Sequence, residues 1–238
     1  MAWIHRVWAW RAGAGAYDWL TRQGIWHSHA AGLLEIARPL PQTMQVLDVG
    51  CGAGASAFAI AEALGPQANL LGVDLGAPMV AIAQANHRRY FDKLAQVRFE
   101  QADATALPQA DGHFDLVVGH SFLYLCPDRE TILAELYRVL CPGGQLLLME
   151  PDETGALVVA GWRGLRTDSG RAWRQPLAVF RFVASMIAWR GAVYSAGGMR
   201  ADRIAGLFSA AGFRDIETRS TLAGLGLYCR GVKPLQAA

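Results

Sequence analysis

Residues 46–54, VLDVGCGAG, decide the fold. The apolar run from Gln45 to Val49 reads as a buried strand. It enters a turn carrying Gly50, Gly52 and Gly54, and a helix from about Ser56 to Leu64 follows. A strand feeding a glycine turn and a helix N-terminus is how doubly wound sheets hold a nucleotide-like ligand, with main-chain N–H groups turned toward it. Gly50, Cys51, Gly52 and Gly54 therefore form the candidate cradle. Asp48 is unexpected there: at roughly 4 Å and an effective dielectric near 20, two like charges repel by about 4 kcal/mol, so this acid disfavours a pyrophosphate. The same carboxylate attracts an ammonium or a sulfonium.

Downstream, strands and helices alternate. The predicted strands are Asn69–Asp74, Val97–Gln101, Asp115–Gly119 and Gln145–Met149; the helices are Pro78–Tyr90 and Arg129–Leu140, the second stopped by Pro142-Gly143-Gly144. Apolar runs without polar alternation are strands buried on both faces, hence a mostly parallel sheet. The tail differs: a helix at Ala201–Ala211 precedes Arg214–Thr221 and Leu225–Val232 around Gly224, the pattern of a hairpin. Asp74 and Asp103 stand at the ends of the second and third strands. Ligands of open α/β sheets bind at these carboxyl ends, where Asp74 can accept from two ribose hydroxyls and Asp103 from an adenine amino group.

The 238 residues fit one α/β domain with embellishments. Its expected parts are an N-terminal helical cover (1–41), a ligand-binding core (42–151), an inserted lid (152–200) and a completion of the core (201–238). The four cysteines, Cys51, Cys126, Cys141 and Cys229, have neither C-x-x-C nor metal-ligand spacing and read as reduced thiols of a cytoplasmic protein without a metal. Net charge is +2, unevenly spread: residues 46–150 carry 12 acids against 6 bases, residues 151–200 carry 3 against 7. Arg6 and Arg11 interrupt any signal-peptide core, and Arg181 and Arg190 break the later apolar stretch Ala178–Tyr194. At the N-terminus Trp3, Val7 and Trp10 share a helical face, with Ile4 and Trp8 beside them; Trp beside Arg there also suits a peripheral membrane contact. A second helical segment, Ala16–Ile36, carries Tyr17, Trp19, Trp26, His27 and His29.

Taken together, VLDVGCGAG, GVD (72–74), QADATALP (101–108), FDLVVGHSFLYL (114–125) and LYRVLCPGGQLLLMEP (136–151) resemble, in unbroken order, the class I S-adenosylmethionine-dependent methyltransferases. The resemblance covers about residues 44–151. It implies a Rossmann-like, seven-stranded sheet with an antiparallel last strand, and S-adenosylmethionine as cofactor. It also implies roles: Asp48 and the Gly50–Gly54 loop at the methionine moiety, Asp74 on ribose, Asp103 on adenine, and Leu75 and Ala104 flanking adenine. The fourth strand ends Gly119-His120-Ser121-Phe122, where enzymes acting on base amino groups commonly carry an Asn/Asp-Pro-Pro-aromatic tetrad, which disfavours nucleic-acid bases as acceptors.

His120 is the first candidate base, or else a group that bonds the methionine portion; His27 and Tyr17 are second choices if the N-terminal helices fold over the cofactor. Residues 152–200 interleave Trp162, Trp173, Phe180, Phe182, Trp189 and Tyr194 with Arg163, Arg166, Arg171, Arg174, Arg181 and Arg190. They read as a lid over a small apolar or aromatic acceptor, with arginine available for a carboxylate or phosphate. Arginine with aromatics also suits RNA, but Lys93 and Lys233 are the chain's sole lysines. The alternatives carried forward are an RNA or protein methyltransferase, a non-methylating S-adenosylmethionine-binding protein, and an NAD-linked dehydrogenase on the glycine turn. The acceptor and the oligomeric state are not legible.

Overall fold

The computed structural model describes residues 11–21, 24–94, 96–155 and 176–235. The N-terminal Trp3–Trp10 face falls outside them, as do Trp162, Arg163, Arg166, Arg171, Trp173 and Arg174; the side chains of Arg181 and Phe182 are likewise not described.

Seven strands form one sheet: β1 (Met44–Val49), β2 (Ala68–Asp74), β3 (Val97–Gln101), β4 (Phe114–His120), β5 (Leu140–Pro151), β6 (Arg214–Thr221) and β7 (Gly226–Val232), in the order β3-β2-β1-β4-β5-β7-β6. Pairs β1–β2, β2–β3, β1–β4 and β4–β5 are parallel, whereas β7 runs antiparallel to both β5 and β6. This is the mostly parallel sheet expected from the apolar runs, in the seven-stranded, Rossmann-like arrangement that the family resemblance implies. The chain moves outward from β1 through β2 to β3, then crosses back to β4 on the other side of β1. Strand order reverses between β1 and β4, and the crevice at such a switch point is where this architecture binds ligands.

Side-chain alternation sorts the strands onto two cores. Leu47, Val49, Val117 and Leu148 join Leu133, Leu136, Phe208 and Phe213 on one face; Val46, Val118, Leu147 and Met149 join Leu33, Phe58 and Ile60 on the other. By the same period of two, Asp48 and His120 lie on the second face and Glu150 on the first. Helix α1 (Arg11–Thr21) reaches the fourth helix, and α2 (Gly24–Gly32) lies along α3 (Ala55–Leu64); a 3₁₀ turn, Leu33–Ile36, follows α2. Helix α4 (Ala77–Tyr90) opens with Pro78 in its first turn, where the missing N–H costs nothing. Helices α5 (Arg129–Val139), α6 (Pro176–Ala196) and α7 (Ala201–Ala210) complete the layers. No described helix is long and apolar enough to cross a membrane.

Two stretches differ from expectation: the helical segment Ala16–Ile36 is α1, α2 and the 3₁₀ turn Leu33–Ile36, with α1 starting at Arg11, and β5 starts early. Pro142-Gly143-Gly144 does not delay β5 until Gln145. The strand begins at Leu140, which pairs with Phe114, and the register shifts before Leu116 meets Gln145. Gly143, at φ 82°, donates to the Lys233 carbonyl at 2.8 Å, so the breaker becomes a bulge held by the end of β7. Lys233 Nζ in turn donates to the carbonyls of Tyr137 and Leu140 at 2.8 and 2.7 Å, closing the C-terminus of α5.

Candidate functional site

The glycine turn is tied to the second strand. Cys51 N–H donates to the Val73 carbonyl at 3.0 Å and Gly54 N–H to the Cys51 carbonyl at 2.9 Å. Asp74 Oδ2 accepts from Gly52 N–H at 2.9 Å and Oδ1 from Gly76 N–H at 2.8 Å. The acid expected on ribose thus also fastens the turns after β1 and β2. Gly50 sits at φ 69°, and a Cβ there would lie 2.6 Å from Phe122 Cβ; one on Gly119 would lie 2.6 Å from Phe122 Cε1. The Phe122 ring therefore fills the space between the ends of β1 and β4, and glycine is required at both positions.

Asp48 pairs in register with Gly72 and Val118 and is fully buried. Ser56 Oγ donates to its Oδ2 at 2.6 Å, while Oδ1 is shut off from solvent with no partner. Burial pushes the carboxyl up to about 7, against the Ser56 bond, and the Asp74 charge adds to the rise. A buried, half-unpaired carboxylate calls for a cation. A sulfonium ligand with an ammonium supplies one and a pyrophosphate does not, so these residues fit S-adenosylmethionine. Asp103 is exposed; its Oδ1 accepts from Thr105 N–H and Oγ1 at 2.9 and 2.8 Å, which hold it below the usual carboxylate range. Leu75 is 59% exposed beside the end of β2 and Ala104 is half-buried, which leaves one apolar wall open to a ligand. Cys51 is buried and its thiol is raised well above its ordinary value, so it serves the turn as main chain.

Ala30, Asp48, Ser56, Gly119 and His120 pack around a small gap beside β1 and β4. His120 Nε2 is closed off without a partner. Burial first, then neighbouring His29, push its imidazole down to about 3, while a ring bond to its own main-chain carbonyl opposes this. His120 is therefore neutral across the physiological range. Tyr17 of α1 lies over the turn, its Cε1 3.2 Å from where a Gly52 Cβ would stand. Burial, then the charges of Asp74 and Asp48, raise its phenol to about 12, so it too stays neutral.

The structure draws His27 away from this group. Its Nε2 is 2.7 Å from Glu62 Oε2, and its ring stacks on Phe91 at 6.3 Å. Two residues along the helix the direction reverses, and His29 faces inward. The His29 ring lies 6.4 Å from that of His120, and Tyr228 Oη donates to the His29 carbonyl at 2.7 Å and sits 2.9 Å from Nδ1. Trp26 stands edge-on to both His120 (6.3 Å) and Trp189 of α6 (6.0 Å).

Two side chains that carry no role in the sequence reading hold the segment after β4. Glu150, fully buried, accepts from Phe122 and Leu123 N–H with Oε1 (3.3 and 3.0 Å) and from Tyr124 N–H with Oε2 (3.0 Å). Arg129 donates to the carbonyls of Leu123, Tyr124 and Cys126 at 3.2, 2.6 and 3.1 Å. Together they clamp one turn from both sides, with Ser121 held at φ 57° just after His120. The signal for Glu150 was an acid ending the apolar run LLLM.

A family described as a methyltransferase domain matches residues 46–144. A demethylmenaquinone methyltransferase of Geobacillus sp. is 32% identical over 190 residues, 79% of each chain. An arsenite methyltransferase of Aquipseudomonas alcaligenes is 36% identical over 116 residues, 47% of this chain and 34% of that protein; the match thus spans about a third of that relative's length. A phosphoethanolamine N-methyltransferase 2 of Haemonchus contortus, solved with S-adenosyl-L-methionine, superposes with a TM-score of 0.69 over 98% of this chain and 59% of its own, at 18% identity, a likeness of fold. The glycine turn, the strand-end acids and these matches agree: the chain belongs to the class I S-adenosylmethionine-dependent methyltransferases.

Proposed function

We propose that this chain transfers a methyl group from S-adenosylmethionine to a small apolar or aromatic molecule. The observation that carries this is Asp48: a buried carboxylate with one unpartnered oxygen, in the group of residues that also includes His120. The cofactor supplies a methyl group already activated by its sulfonium. What remains for the protein is binding, alignment and exclusion of water.

In this reading Asp48 and the Gly50–Gly54 main chain take the methionine end, Asp74 the ribose and Asp103 the adenine, with Leu75 and Ala104 beside it. Residues 1–41 and 152–200 act as the cover. Tyr17 shields the glycine turn. His120 receives a hydrogen bond from the acceptor; at about 3 its imidazole is too weak a base to hold a proton at neutral pH, so it orients rather than stores one. The relatives named for demethylmenaquinone and arsenite support a small acceptor over a macromolecule.

The test is calorimetric titration with S-adenosylhomocysteine and with NAD, followed by a labelled-methyl assay on an aromatic panel and on bulk tRNA at two salt concentrations. Binding of S-adenosylhomocysteine alone, with transfer confined to small molecules, is expected. Tight NAD binding or salt-sensitive tRNA methylation would replace the proposal.

A further inference from the structure

Three successive main-chain N–H groups, those of Phe122, Leu123 and Tyr124, converge on one buried carboxylate, Glu150 of β5. They open the 3₁₀ turn Leu123–Leu125, where the first N–H groups have no partner inside the turn. Leu123 and Tyr124 are buried away from water, so the acceptor must come from another element. A carboxylate is a destabilising choice in such a place: burial pushes Glu150 up to about 7 even against its three donors. What it adds is geometry, because two oxygens in one plane fix three N–H groups at once.

The main chain so fixed aims the Phe122 ring. Ser121 is held at φ 57°, its N–H on the Met149 carbonyl at 2.7 Å, and Phe122 follows at φ −123° and ψ −39°. A Cβ on Gly50 would lie 2.6 Å from Phe122 Cβ and 2.7 Å from Cγ; one on Gly119 would lie 2.6 and 2.9 Å from Cε1 and Cδ1. The side chain is thus wedged between the ends of β1 and β4, its root against Gly50 and its edge against Gly119. A serine in the left-handed region is strained, and such strain collects at functional sites.

Gly50 is where this hold meets the donor. In the proposed reading Asp48 and the Gly50–Gly54 main chain take the methionine end. The contacts assigned to the adenosine end lie on the far side of β1: Asp74 fastens Gly52 and Gly76, and Asp103 the Thr105 turn.

We infer that Glu150 is a positioning residue for the methionine end of the donor, acting through the main chain of 122–124 and the Phe122 ring on Gly50. This rests on the placement of the methionine end at Asp48 and the glycine turn, and deepens it with a residue of β5 that acts at one remove from the ligand.

The test compares two ligands that share adenine, ribose and sulfur: S-adenosylhomocysteine, which carries the amino-acid end, and methylthioadenosine, which lacks it. Both are measured against the full chain by equilibrium dialysis, up to millimolar ligand. Glu150→Gln keeps an oxygen for two of the N–H groups and turns an NH₂ toward the third, so the turn stays buried but shifts. It should weaken S-adenosylhomocysteine about tenfold and methylthioadenosine by less than about twofold. Phe122→Leu removes no hydrogen bond and should give the same split. In the double variant the two losses should not add, because both act through one contact with Gly50. A residue that only stabilised the fold would lower Tm and leave the ratio of the two affinities unchanged.

An unchanged ratio in either single variant would overturn the inference. So would full additivity of the two losses, or failure of methylthioadenosine to bind the natural protein, since the two ends would then not be held separately. Should Glu150→Gln not fold, Glu150→Asp, which keeps the charge and withdraws it by one methylene, takes its place with the same expectation. S-adenosylhomocysteine binding by the natural protein separates the failures: if it is retained, only the role of Glu150 is wrong, and if it is absent, the methyltransferase proposal fails as well.

Discussion

Beneath the glycine turn, the holding contacts run between carboxylates and main-chain N–H groups within one continuous segment, from β1 to the end of β3. Around Trp26 they run between rings and a hydroxyl on α2 and α6, and the Trp26–Ser185 bond spans 159 positions of sequence. The first region takes its geometry from strand register and turn conformation, which local sequence dictates. The second exists only when distant helices dock on one another. A donor shared by a whole family suits the first construction, because backbone N–H groups do not change with substitution. An acceptor peculiar to one protein suits the second, where exchanging a ring leaves the sheet intact.

The sharpest way to break this contrast is at the joint between the regions. Glu150→Ala would strip three buried N–H groups of their acceptor, and we expect a loss of about 3–5 kcal/mol of stability, read by urea denaturation. Glu150→Gln should cost far less, with a definite pH trend. Burial holds this carboxyl up at about 7 against its three N–H donors, above its unfolded value. The unfolded chain then binds fewer protons, so this group's contribution is full at acid pH and is lost as pH rises through about 7. The glutamine variant should therefore gain on the natural protein as pH is raised from about 5 to 8 by that linkage. An intact fold in the alanine variant would mean the turn after β4 is held by its neighbours alone.

Asp48→Asn tests the donor side itself. Losing the buried negative charge should weaken S-adenosylmethionine by about 2–3 kcal/mol, roughly 30- to 150-fold, and neutral-sulfur S-adenosylhomocysteine by less. In the free protein Asp48 is held up at about 7, and a bound cation must lower it. Donor binding therefore releases a proton below neutrality, and affinity should climb by up to about tenfold per unit between pH 5.5 and 7, then level. The asparagine variant should show no such climb. Equal weakening of both ligands would show that Asp48 senses the shared ammonium.

Asp48 was legible because it stands inside an apolar run, where a charge has no structural reason to be, and Asp74 and Asp103 because they stand at the ends of strands beside the glycine turn. His29 and Glu150 were not, and for different reasons. Helix α2, GIWHSHAAG, is apolar nearly all round, so its inward face is not marked by charge. Only the stripe Trp26, His29, Ala30, Leu33, spaced at helical intervals, reveals that His29 points in and His27 out. Glu150 looks like a solvated strand end until the turn after β4 is seen to fold back on it. The start of β5 was misplaced because Pro142-Gly143-Gly144 stops a helix and also makes a bulge; the choice depends on pairing with Phe114, a contact across the sheet.

Asp74→Ala sharpens the contrast by acting on both ligand and backbone. It should weaken S-adenosylhomocysteine by about 1.5–3 kcal/mol, roughly 10- to 150-fold, by removing an ionised acceptor from the ribose. The N–H groups of Gly52 and Gly76 lose theirs as well, so Tm should fall even without ligand. Unchanged calorimetric affinity would place the ribose elsewhere.

Asp103 should show the smallest effect, because its surroundings differ most from those of Asp48. It is exposed, and one oxygen is occupied by the Thr105 turn, so solvent competes for whatever the other oxygen binds. Asp103→Ala should cost about 0.5–1 kcal/mol in S-adenosylhomocysteine affinity, roughly two- to fivefold. So small a change does not by itself assign adenine to this acid, and a paired ligand is needed. S-inosylhomocysteine carries an oxygen where adenine carries its amino group, turning attraction at Asp103 into repulsion. If the acid reads that position, replacing the amino group should cost several-fold more affinity in the natural protein than in Asp103→Ala, and the excess is the coupling between the two changes. A penalty of equal size in both proteins would mean that Asp103 only shapes the Thr105 turn, with the base held by the apolar wall of Leu75 and Ala104.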